Sequence, residues 1–124
     1  MESRRPPGRR SRSRTPFLAA AREGDFDALL EVLDPDVVFR VDAGTPFGPV
    51  EGAPAVARQV LARGARLARF ARPAIVNGAA GSVVVVGGAA RAVTAFGVTR
   101  DGRIARIDVF ADSARLRRLN LELR

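Results

Sequence analysis

At Arg72-Pro73 the hydrophobic spacing of this chain changes, and that change limits the folds open to it. Upstream, apolar residues recur at three- and four-residue intervals; downstream they come in short runs punctuated by glycine. Phe26, Leu29, Leu30 and Leu33 stand at i, i+3, i+4 and i+7, the stripe of an amphipathic helix. Asp25 predicts its cap, and Asp34-Pro35-Asp36 its end, because Pro disfavours helical geometry in the residue before it. Thr15-Pro16 predicts an earlier helix start, a capping hydroxyl followed by Pro at the first helical position, with Phe17, Leu18 and Ala21 as its apolar face. A third helix is predicted over 53–70. Val56, Ala57, Val60, Leu61, Gly64, Leu67 and Ala68 take one side and Arg58, Gln59, Arg63, Arg66 and Arg69 the other. Residues 37–42, β-branched and aromatic, read as a strand, and 43–52 as a Gly- and Pro-rich loop with a short extended piece near Val50.

Beyond Pro73, residues 74–77, 82–86, 92–99 and 103–111 read as strands, separated by Gly78 to Gly81, Gly87-Gly88 and Asp101-Gly102. The last pair is a strong hairpin signal. In the final strand, alternation predicts Ile104, Arg106, Asp108 and Phe110 on one face and Ala105, Ile107, Val109 and Ala111 on the other. Asp112 then predicts the cap of a terminal helix carrying Leu116, Leu119 and Leu123. Helices grouped ahead of a run of strands predict an α+β fold, a curved antiparallel sheet packed on N-terminal helices and enclosing a cone-shaped cavity.

The side-chain inventory removes whole classes of chemistry. The 124 residues suit one domain and contain no Cys, His, Tyr or Trp. Disulfides, thiolate metal sites, Ser/His/Asp triads and Cys/His pairs are excluded, and neither a metal nor a cofactor is expected. Every one of the 21 basic residues is Arg, a usage that points to GC-rich coding of the actinobacterial kind. The net charge of +8 is uneven, since residues 1–14 hold six Arg against Glu2 alone. That low-complexity head has no apolar residue after Met1 other than prolines, so it is expected to be a disordered head or linker ahead of a domain over 15–124. It favours acidic partners and nucleic acid non-specifically, but without interleaved aromatics specific nucleic-acid binding is not expected. No stretch approaches the roughly 20 apolar residues of a membrane span, and the head is too polar for a secretory signal, so the cytoplasm is the expected compartment.

Three phrases carry a resemblance: Phe17-Leu-Ala-Ala-Ala-Arg-Glu-Gly-Asp25, Asp34-Pro-Asp-Val-Val-Phe-Arg-Val-Asp42 and Asp101-Gly-Arg-Ile-Ala-Arg-Ile-Asp-Val-Phe-Ala-Asp112. Over residues 17–119 the chain resembles SnoaL-like domains of the nuclear-transport-factor-like cone fold, in particular the C-terminal extension of extracytoplasmic-function sigma factors. The resemblance implies a regulatory or binding domain that modulates transcription initiation by contacting a sigma-factor core or RNA polymerase. The family's Asp-Gly-Gly-Gly-basic loop after the first strand corresponds to Asp42-Ala43-Gly44-Thr45, which keeps the Asp and one Gly and lacks the basic residue. Its Asn-Pro-Asp-Lys-Leu motif after the last strand corresponds to Asp112-Ser113-Ala114-Arg115-Leu116, with Arg115 for the Lys. The expected partner contacts are therefore Asp42, Gly44, Thr45, Asp112, Arg115 and Leu116. The modules that bind promoter DNA have no counterpart in residues 1–16, and the sequence leaves open an independent protein, a gene remnant or a late start. A homodimer through the exposed sheet face and a monomer both stay open.

The alternative is a small cone-fold enzyme of isomerase, cyclase or hydrolase type. Asp42 or Asp108 would be its base, since a carboxylate in an apolar pocket can have a raised pKa. Arg40 and Arg106 would clamp a small acidic ligand beside Asp108, with Phe39, Phe96 and Phe110 lining the pocket. If these strand faces meet solvent instead, Arg106 with Asp108 and Arg40 with Asp42 are ordinary surface pairs, and the phenylalanines are core. Asn77, just before Gly78, reads as a turn residue rather than a ligand contact.

Overall fold

The computed structural model describes residues 14–43, 46–64, 69–111, 116 and 121–123. The head before Arg14, Gly44 and Thr45, and Asp112 to Arg115 lie outside them, as do residues 65–68 and 117–120. Helix α1 (Arg14–Glu23) begins one residue before the expected Thr15 cap, so Thr15 stands inside the helix. Helix α2 (Phe26–Val32) is capped as expected: the Asp25 carboxylate accepts from the Ala28 amide at 3.0 Å. It stops short of Leu33, whose amide still bonds the Leu29 carbonyl while its own backbone is extended. Leu33 therefore opens strand β1 (Leu33–Asp42) rather than closing the helix, and stays buried either way.

Strand β2 (Pro46–Glu51) fills the expected loop and lies along the outer edge of β1. Gly48 sits at φ +97°, and a Cβ there would meet the Phe39 carbonyl at 2.8 Å, so this bulged crossing requires glycine. Helix α3 (Ala53–Gln59) is regular for only part of the predicted 53–70 span and continues as a π-helical turn (Val60–Gly64). Gly64, a weak helix former, ends the described part of that turn.

Strands β3 (Ala71–Val76), β4 (Ala79–Val86), β5 (Ala89–Val98) and β6 (Ile104–Phe110) follow the predicted order and form an antiparallel meander. The terminal segment corrects one expectation: Leu121–Leu123 is a short strand, β7, not helix, and it pairs with the free edge of β3. That pairing occupies backbone groups that an edge strand would otherwise expose. The seven strands run β2-β1-β6-β5-β4-β3-β7. The antiparallel expectation holds for every pair except β1 with β6, which run parallel, so the sheet is mixed.

Two cores lie on the two faces. The helices cover the concave face, where Phe17, Leu29, Val37, Phe39, Val56, Phe96, Ile104 and Ile107 are buried together. The Phe17 and Phe96 rings meet edge to face at 5.3 Å. Ile104 corrects the simple alternation of β6. Its register slips opposite Gly97 and Val98, leaving Ala105 as an extra residue, and both Ile104 and Ile107 reach the concave core. On the opposite face Ala74, Val76, Val83 and Val93 form a second cluster, against which the helical residue Leu116 packs.

Candidate functional site

Strand parity sorts the expected site residues. Phe39 and Val41 of β1, with Ile107 and Val109 of β6, point into the cone. Arg40 and Asp42, with Arg106, Asp108 and Phe110, point to the outer face, in the parallel register Val38 to Arg106, Arg40 to Asp108 and Asp42 to Phe110. There Arg40, Asp42, Gly48, Asp108 and Phe110 surround a depression of about 330 Å³. The Arg106 Nε donates to Asp108 Oδ2 at 2.9 Å, and with Arg106 58% exposed this is a solvent-facing pair. Gly97 lies beneath the Arg106 side chain; a Cβ there would stand 3.4 Å from the guanidinium carbon. Asp42 and Asp108, the proposed bases, thus lie outside the cone, and so do the Arg40 and Arg106 clamps.

The parallel pairing has a second consequence. Asp42 and Phe110 end adjacent strands pointing the same way, and the Ala111 amide donates to the Asp42 carbonyl at 2.8 Å. The loop that leads to Gly44 and Thr45 and the tail that leads to Asp112 and Arg115 therefore leave the sheet side by side. Those four residues lie outside the described set. Leu116, the last expected contact, is half-buried against the domain's own second cluster.

The cone holds a cavity of about 220 Å³ that is open at its mouth. Phe17, Leu18 and Ala21 of α1 and Gln59 and Val60 at the end of α3 form its helical wall; Phe39, Val84, Ala92 and Ile107 belong to its sheet wall. Arg22 ties α1 to the rim, its Nη2 donating to the carbonyl of Ala71 at 2.7 Å. The polar side chains among the described lining are Gln59, Ser82 and Thr94, and none is ionisable. Sequence reasoning missed all three. Its polarity assigned Gln59 to the solvent side, whereas it is half-buried on the cavity wall where the regular helix gives way to the π turn. The available signal for the other two was a lone hydroxyl in each of two apolar strands, Ser82 before Val83 to Val86 and Thr94 between Val93 and Ala95. Of the expected lining aromatics, Phe39 reaches the cavity, Phe96 is core against Phe17, and Phe110 faces the outer depression. Asn77 is an exposed turn residue at φ +50°.

Among the described residues no three His, Cys, Asp or Glu side chains gather as a metal site, and no helix is long and apolar enough to cross a membrane.

No protein-family model and no curated protein matches the chain. Solved structures do. The extracytoplasmic-function sigma factor SigJ of Mycobacterium tuberculosis superposes with a TM-score of 0.65 at 27% identity, over 86% of this chain and 42% of SigJ. The chain thus spans less than half the length of that sigma factor. An NTF-2-like protein from Burkholderia xenovorans superposes at 0.58 with 15% identity, over 84% of both chains. A steroid delta-isomerase from Pseudomonas aeruginosa superposes at 0.52 with 19% identity, over 82% of this chain and 77% of the isomerase. The latter two likenesses speak to fold alone. The fold is the SnoaL-like, NTF2-like cone.

Proposed function

We propose that this SnoaL-like cone domain is a regulatory binding module whose partner is a sigma-factor core or RNA polymerase, engaged at the shared end of β1 and β6. The observation that carries the reading is the 2.8 Å bond from the Ala111 amide to the Asp42 carbonyl. It couples the origins of two segments that the sequence resemblance singles out independently. The 27% identity with SigJ over 86% of this chain supports the choice of partner. The outer depression beside that end offers Arg40, Asp42 and Asp108, charges of both signs that suit a polar interface rim. The enzyme alternative draws no support from the cavity, whose described lining carries no carboxylate.

The test is capture of purified core polymerase and purified sigma factors of the source organism by the full chain, beside a variant carrying Asp112→Lys and Arg115→Glu. Binding by the parent and its loss in a folded double variant is the expected result. Equal binding by both removes the tail from the interface, and no binding by the parent removes the partner.

A further inference from the structure

Among the described residues, one hydroxyl of the cone stands without a hydrogen-bond partner. Ser82 is 4% exposed, lines the cavity, and its side chain makes no hydrogen bond to a described residue. Its neighbour across the β4–β5 ladder is Thr94, on the same face and also lining the cavity. Gln59, the third polar group of the wall, already has an interaction within the chain. Buried polar groups in folded proteins are almost always hydrogen-bonded, so an unanswered hydroxyl facing empty space asks for an acceptor or donor from outside the chain. The rest of the described lining is hydrocarbon, including Phe17, Phe39, Val84 and Ile107.

We propose that the cone binds a small, uncharged, largely apolar molecule carrying one carbonyl or hydroxyl oxygen, held at that oxygen by Ser82 with Thr94 beside it. Charge is disfavoured because no described lining residue could neutralise it, and burying an unpaired charge is prohibitive. Size follows from the volume. An apolar cavity of about 150 Å³ accommodates benzene, so the 220 Å³ here suits a ring system of about ten carbons. Apolar side chains supply most of the contact area and one hydroxyl fixes orientation, the usual division of labour in small-molecule sites. This site is independent of the partner-binding reading, since its residues are on the opposite face of the sheet from Arg40, Asp42 and Asp108.

A matched pair of probes tests it: 1-tetralone, a bicyclic ketone, and tetralin, the same skeleton without oxygen. Each is titrated calorimetrically into the full chain and into Ser82→Ala, a change that removes one oxygen without adding bulk. The expected result is one-to-one binding of tetralone, weakened about tenfold by Ser82→Ala, with tetralin affinity the same for both proteins. Ala92→Leu, which fills the cavity, is the second variant and is expected to exclude both probes. The proposal is overturned if tetralone fails to bind saturably, if Ser82→Ala binds it within twofold of the parent, or if Ala92→Leu, folded, binds it as well as the parent.

Discussion

The Ala111 amide donates to the Asp42 carbonyl at 2.8 Å, one residue beyond the last ladder pair of β1 and β6, Asp42 with Phe110. Such a bond extends the parallel pairing to the points where both chains leave the sheet. Ala111→Pro deletes the donor and is expected to cost about 1–2 kcal/mol. It should also weaken partner capture more than the stability loss alone accounts for. Urea denaturation and capture on the same preparation measure both. A stable variant that captures normally would show that the bond does not organise the interface.

Arg106 and Asp108 form a close contact at 2.9 Å, yet Arg106 is more than half exposed. Water screens the attraction, so Arg106→Ala is expected to lower stability by less than about 1 kcal/mol. Had the pair lined the cone, the same change would strand a buried carboxylate. Denaturation midpoints compared in low and high salt decide it: a small effect that shrinks further with salt is expected.

Local chemistry made much of this fold legible. Asp25 announced a cap and Asp101-Gly102 a turn, because each acts through its own backbone and immediate neighbours, whereas Pro35, read as the helix end, stands inside β1, which already begins at Leu33. Residues 121–123 were not legible, since their strand depends on the free edge of β3, nearly fifty residues away. The site was split in the same way. Alternation placed Arg106 and Asp108 together on one face, but nothing in β6 alone says which face the helices cover. The parallel register with β1 and the burial of Ile107 settle that. Gln59 ends the regular helix three residues after buried Val56 and so borders the buried stripe; its polar side chain, not its position, put it on the solvent side.

The hairpin at Asp101 is expected to depend on pH only at the acidic extreme. The Thr99 hydroxyl donates to its carboxylate, and with the carboxylate's own backbone amide and Arg103 nearby it holds the pKa below the ordinary value of about 3.8. A group depressed in the folded state stabilises above its unfolded pKa, and that contribution is lost as pH falls through the folded one. The hairpin should therefore be unaffected near neutrality and loosen only at strongly acidic pH. Thr99→Ala is expected to raise the Asp101 pKa toward the ordinary value. Carboxyl NMR titration of parent and variant reads this directly; identical curves would mean the hydroxyl bond is not formed in solution.

Leu116 packs against the cluster of Ala74, Val76, Val83 and Val93 on the outer sheet face. Leu116→Ala removes apolar cover from residues that are at most 2% exposed. For a half-buried leucine the expected loss is about 2 kcal/mol, the lower end for leucine truncation in a core. Newly exposed valines on a flat strand face should also promote association between copies of the chain. Sedimentation across a concentration series separates the two effects. The parent is expected to stay monomeric, because its own leucine occupies the apolar part of that face, while the variant self-associates. A parent that is already dimeric, with Leu116→Ala unchanged in mass and stability, would mean that a second copy rather than Leu116 supplies the cover.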